Sequence, residues 1–176
     1  LYCASFTNDA LCQPSCPKSK QINGKKMSTY QVEESAVIDA PVKRVYGIIS
    51  DYHEEHPAIL PSRYFTKIQV TQGGQGAGTA VMIEMNVLGA KMLYQMTVSE
   101  PEPGRVLREE DAAAGVVTTF TVDPINGGVQ SRVTIVTSAK TSSGLKGWME
   151  KLMTPAITRR IYREELAQLA IVAQRK

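Results

Sequence analysis

The chain has 176 residues, 43% of them apolar, and a formal net charge of +3. That length suits one ordinary domain with a real core. Four lysines, Lys18, Lys20, Lys25 and Lys26, against Asp9 alone account for the whole charge excess, so the body is balanced and shows none of the one-sided basicity expected of a nucleic-acid binder.

The three cysteines, Cys3, Cys12 and Cys16, all lie in the first 16 residues. An odd count with no partner in the body argues against a disulfide framework, and a body without cysteine needs no oxidising compartment. No apolar run approaches the roughly 18 residues of a membrane span, and the first 26 residues lack the apolar stretch of a secretory signal. These features give a cytoplasmic expectation. Residues 1–28 are polar, contain proline and have no period. They are expected to form a flexible tail, appended or translated from upstream, before a domain over 29–176. A metal site from the three cysteines lacks a fourth ligand, since the tail holds no histidine.

In chain order, "YQVEESAVID" predicts a strand with Val32, Ala36 and Ile38 on its apolar side. "APVKRVYGIISDY" predicts a helix: Pro41 suits a first turn, and Val42, Val45, Tyr46 and Ile49 recur at helical spacing. Pro57 and Pro61 limit the following "HEEHPAILPS" to about one helical turn. "RYFTKIQVTQ" alternates, which places Tyr64, Thr66, Ile68 and Val70 on one side. "GGQGAG" turns the chain. "TAVMIEMNV" sets Val81, Ile83, Met85 and Val87 on one face, and "MLYQMTVSE" sets Met92, Tyr94, Met96 and Val98. "PEPG" breaks the chain before the short strand "RVLREED". "VVTTFTVDPI" and "VQSRVTIVTSA" flank the turn "NGG". Short strands joined by tight turns predict an antiparallel meander.

Each strand has one apolar face, so one side of the sheet needs a cover. The remaining candidate is the final helix, from about Ser143 to Ala173 and about 46 Å long. Trp148, Met149, Leu152, Met153, Ile157 and Ile161 mark its apolar face, and Pro155 bends it.

The string "VIDAPVKRVYGIISDYHEEHPAILP", the Gly-x-Gly-Thr of "GAGTAVMIEM", the proline-bearing "VSEPEPGRVL" and the closing "TPAITRRIYREELAQLA" together resemble the START-like superfamily, also called SRPBCC, over about Thr29 to Ala173. The resemblance implies an α+β helix-grip fold. A curved antiparallel sheet of six to seven strands would surround a long C-terminal helix, with two short helices after strand 1. It also implies a hydrophobic cavity between sheet and helix. It carries no shared catalytic set, and no cofactor.

The residues point to the same place. Tyr64, Thr66, Ile83, Met85, Met92, Tyr94, Met96, Phe120, Trp148, Met149, Leu152 and Met153 are the candidate cavity residues. Methionine is flexible and polarisable, which suits an adaptable apolar pocket as well as it suits gap-filling in a dry core. Tyrosine and threonine tips would orient a ligand oxygen, or meet a backbone carbonyl.

His53 and His56 in "DYHEEHP" are three apart rather than the four of a zinc-protease helix, and Pro57 follows at once, so no metal site is expected. Lys146, Lys151, Arg159, Arg160 and Arg163 make a basic stripe. It reads as a solvated helix face interleaved with Glu150, Glu164 and Glu165, or as a surface for transient membrane contact. "GGQGAG" lacks the Gly-Lys-Ser of a phosphate loop, and no Gly-x-Ser-x-Gly occurs.

Two functions remain open, beside a third reading in which the pocket takes the apolar segment of a protein partner. One is a carrier or sensor for an apolar partner such as a lipid, quinone or aromatic polyketide. The other is a cyclase or dehydratase in the same cavity, with Tyr64, Tyr94, Arg108 or His53 polarising a carbonyl or moving a proton.

Overall fold

Alternation of buried and more exposed positions decides the architecture. In β5 (Val106–Asp111) every second residue, Leu107, Glu109 and Asp111, is buried, and β7 (Gln130–Lys140) alternates in the same way. The computed structural model describes residues 29–140 and 145–175, with the backbone alone over 145–154. The tail expected over 1–28 lies outside the described residues.

Seven antiparallel strands form one sheet in the order β1-β7-β6-β5-β4-β3-β2. The remaining strands are β1 (Thr29–Ile38), β2 (Phe65–Gln72), β3 (Ala80–Val87), β4 (Ala90–Glu102) and β6 (Val116–Ile125). Strands β2 to β7 run as a meander, and β1 joins the far edge beside β7. Two short helices, α1 (Val42–Ser50) and α2 (Glu55–Ile59), carry the chain from one edge to the other. The long helix α3 (Leu145–Ala173) has 29 residues with Pro155 inside it, about 44 Å at the usual rise. This is the helix-grip architecture expected from the sequence.

Pro41 caps α1: its carbonyl accepts from the backbone N–H of Arg44 at 2.9 Å and of Val45 at 3.2 Å. The C-terminal half of α3 buries Ile161, Tyr162, Leu166, Leu169 and Val172 against the sheet and α1. Its last turn is tied down, because Arg44 donates to the Val172 carbonyl at 3.1 Å while also pairing with Glu55 at 2.6 Å. A cation at free helix-end carbonyls is favourable for both partners. On the other side Arg163 meets Glu34 of β1 at 2.8 Å.

The phase of β2 differs from simple alternation. A bulge between Phe65 and Lys67 shifts the register, so that Phe65 pairs with Met85 and Ile68 with Ile83. One extra residue in a strand reverses which side chains face the core. Phe65 therefore takes the inward place expected of Tyr64 and Thr66, whereas Ile68 and Val70 keep theirs. In β4, pairing continues to Glu102 after a register shift beyond Ser99, so Pro101 sits inside the irregular stretch and the reversal comes at Gly104. A proline lacks the N–H of a regular ladder and is tolerated there.

The "GGQGAG" turn is seated on the end of α1. The Gly74 carbonyl accepts from Tyr52 N–H, and Gly76 N–H donates to the Ser50 carbonyl, both at 2.9 Å. Gly74 has φ +131°, and a Cβ there would lie 1.9 Å from His53 Nε2. This seat fixes the direction of Tyr52 and of the helix that follows it.

Candidate functional site

Between the concave face of the sheet and α3 lies a cavity of about 430 Å³. The sheet supplies Ile83 and Met85 from β3, Met92, Tyr94 and Met96 from β4, and Phe120 from β6. These six candidate residues follow from register: Ile83 opposes Tyr94 and Met85 opposes Met92 on one face. Helix α3 supplies Ile157, Thr158, Ile161, Tyr162 and Glu165. Tyr64 and Thr66 do not line the cavity. The bulge turns them away, and Thr66 Oγ1 donates to the Glu84 carbonyl at 3.2 Å on the exposed side. The side chains of Trp148, Met149, Leu152 and Met153 lie outside the described residues.

A more open hollow of about 800 Å³ runs along β2 between His53, Pro57 and Thr71. It is larger, but buried His56, Glu109, Thr118, Thr137 and Glu165 line the cavity under α3, which is therefore the candidate site.

Those polar groups form one wall. Tyr52 donates to Glu109 Oε1 at 2.5 Å and its ring stacks on His56 at 4.4 Å between centroids. His56 is 2% exposed. Its Nδ1 lies 2.6 Å from the Ile49 carbonyl, an acceptor, so Nδ1 carries the proton and Nε2 faces Glu109 Oε1 at 3.7 Å. Thr118 and Thr137 share a hydrogen bond at 2.7 Å, and Thr137 bonds the Tyr162 hydroxyl. Glu165 is 2% exposed, and its Oε1 has no hydrogen-bond partner among the described residues.

The electrostatics follow from burial. Burial first, and then the Glu109 charge, pushes the Glu165 carboxyl well above the usual carboxylate range. Burial and Glu109 likewise raise the Tyr52 hydroxyl. Burial dominates at Tyr162, with Thr137 acting in the opposite direction, and at Tyr94. The site thus sets a buried acid held above the usual carboxylate range, an imidazole and a second, hydrogen-bonded acid around an apolar void, a set suited to orienting a ligand oxygen or moving a proton. Among the described residues no group of three or more His, Cys, Asp or Glu is placed to hold a metal ion.

Sequence reasoning missed most of this wall. His56 reads as a loop residue and Glu165 as part of a solvated face, yet both are buried. The signal was present. Ile157, Ile161, Glu165 and Leu169 recur every fourth residue, which puts the acid on the apolar stripe. Leu107, Glu109 and Asp111 share the inward phase of β5. Of the residues considered for acid–base work, Tyr94 borders the cavity; Arg108 pairs with Glu110 at 3.0 Å on the opposite face, and His53 is exposed, with Nε2 at 3.2 Å from the Gly73 carbonyl.

Three of the five basic residues on α3, Arg159, Arg160 and Arg163, form ion pairs with Glu34 or Glu164; the side chains of Lys146 and Lys151 lie outside the described residues. Among the described residues no helix is long and apolar enough to cross a membrane.

A family model described as polyketide cyclase / dehydrase and lipid transport matches residues 29–174. No curated protein matches the chain in sequence. Among solved structures, the NMR structure of the KanY protein is 31% identical, with a TM-score of 0.73, covering 85% of this chain and 100% of that one. The Zhui aromatase/cyclase from Streptomyces sp. R1128 is 16% identical at a TM-score of 0.67, over 84% of this chain and 95% of its own. Truncated norcoclaurine synthase from Thalictrum flavum is 17% identical at 0.63, over 88% and 100%. These last two likenesses establish the shared fold.

Proposed function

Because the chain belongs to the polyketide cyclase / dehydrase and lipid transport family, we propose that it binds one hydrophobic small molecule in the cavity under α3, as a carrier or sensor. One observation carries this reading: a partly open cavity of about 430 Å³, walled mostly by apolar side chains with a few convergent polar groups. A volume within the roughly 300–1,000 Å³ of small-molecule sites suits a quinone, an aromatic polyketide or a short lipid. Met85, Met92 and Met96 supply the adaptable part of the wall. Native mass spectrometry and thermal shift against quinones, aromatic ketones and lipids test the proposal. Saturable one-to-one binding is expected, and absence of binding across the panel would overturn it.

A second reading, a cyclase or dehydratase in the same cavity, draws on one specific observation. Buried His56 and Glu109 border the void, and Tyr52, stacked on His56 and bonded to Glu109, orients them from outside its lining. Holding a flexible poly-ketone near its reacting geometry beside such groups can supply much of a cyclisation rate. Turnover of a poly-β-ketone thioester to a single cyclised product, lost in a folded Glu109→Gln variant, would favour it. A product spectrum equal to that formed in buffer alone would remove it.

A further inference from the structure

Glu165 stands apart from the other polar groups on the cavity wall. The Tyr52 hydroxyl is committed to Glu109, His56 Nδ1–H to the Ile49 carbonyl, and Thr118, Thr137 and Tyr162 to one another. Glu165 Oε1 has no such partner among the described residues, although the residue is 2% exposed and lines the void. No lysine or arginine among the described residues lines the cavity. An ionised carboxylate in such a place would carry an uncompensated charge beside Glu109, a cost that protonation removes. A protonated carboxyl is an O–H donor as well as an acceptor.

We propose that Glu165, as a neutral carboxylic acid, donates a hydrogen bond to a carbonyl or quinone oxygen of the guest, and that the cavity thereby selects uncharged carbonyl-bearing ligands over carboxylates and amines. This rests on the reading of the cavity as a binding site. A carboxylate guest would bring a further negative charge beside Glu109, with no lysine or arginine among the described lining residues to offset it. An amine guest would ionise Glu165 and bury an ion pair, whose desolvation consumes most of the attraction. A ketone oxygen asks neither, and fills the vacancy in the hydrogen-bond pattern of Glu165.

Four probes with one naphthalene body test it by calorimetry: 2-ethylnaphthalene, 2-acetylnaphthalene, 2-naphthoate and 2-(aminomethyl)naphthalene. For the wild-type protein the ketone is expected to bind about 2–10-fold tighter than the hydrocarbon, the net worth of one hydrogen bond. Naphthoate and the amine should bind more weakly than the ketone. Ketone affinity should fall as pH rises through the titration of Glu165. Glu165→Leu should bring the ketone to the hydrocarbon's affinity. Glu165→Gln keeps an N–H donor, so it should retain the ketone's preference and flatten its pH profile.

Among the described residues the other titratable groups lining this space are Glu109 from β5, Tyr94 from β4, His56 from α2, Tyr30 from β1 and Tyr162 from α3, with Tyr52 bonded to Glu109 from outside the lining. All remain in Glu165→Gln, so a pH dependence that survives there unchanged overturns the inference. If the hydrocarbon itself does not bind, the cavity reading fails and the inference with it. If the hydrocarbon binds but the ketone is no tighter, naphthoate is tightest, or Glu165→Leu leaves the ketone's advantage intact, the inference fails alone.

Discussion

Replacing Glu165 by leucine should stabilise the protein. The wild-type carboxyl is buried, its Oε1 is unpartnered among the described residues, and its neighbours along the helix stripe, Ile161 and Leu169, are apolar. Removing a buried unsatisfied polar atom returns roughly 1–3 kcal/mol, and leucine adds apolar contact at similar volume. For a domain of this size that corresponds to an increase in Tm of about 2–12 °C.

The pH dependence is the sharper signature. The folded-state pKa is raised above the unfolded value near 4.3. Below about pH 4 both states hold the proton, and the wild type suffers no ionisation penalty. As pH rises, the unfolded chain releases its proton first, so wild-type stability falls until the folded carboxyl also titrates. Glu165→Leu has no such group, and its advantage should widen from about pH 4.5 upward. Thermal and urea melts of both proteins at several pH values read this directly. A variant less stable at every pH, or a gap that does not change with pH, would show that Glu165 is ionised and compensated in the folded protein.

Three further outcomes are expected. Tyr52→Phe keeps the ring stacked on His56 but leaves Glu109 Oε1 without its 2.5 Å donor; a loss of about 1–3 kcal/mol in urea melts is expected. Gly74→Ala forces a side chain onto φ +131° against the His53 ring, so roughly 1–3 kcal/mol should be lost, with a weaker seat for Tyr52. Leu88, at φ +52° in the β3–β4 turn, is 81% exposed at the cavity's edge. Leu88→Asn suits that backbone better and should gain about 0.5–1 kcal/mol in the same melts, while binding of an apolar guest weakens.

Much of this was written in local pattern. Strands β3 and β4 alternate cleanly, so Ile83, Met85, Met92, Tyr94 and Met96 could be assigned to one face before any coordinates. The failure at Tyr64 and Thr66 has a definite cause: a bulge is set by the pairing of two strands, and neither strand alone records it. Glu165 was hidden by residue type. Its spacing from Ile157 and Ile161 placed it inside, but a glutamate beside arginines reads as solvated unless position outweighs polarity. His56 was hidden by context, since its burial depends on the "GGQGAG" loop seating the chain before α2, a contact between segments about 20 residues apart.

The central claim is that an apolar guest sits between the sheet and α3 with an oxygen toward Glu165. Intermolecular NOEs between bound 2-acetylnaphthalene and the protein's methyl groups test it most directly. The account predicts contacts to Met85, Met92, Met96 and Ile161, with the acetyl end nearest Glu165. NOEs confined to exposed Leu88 and Leu93, or an acetyl group turned to the opposite end of the cavity, would contradict it.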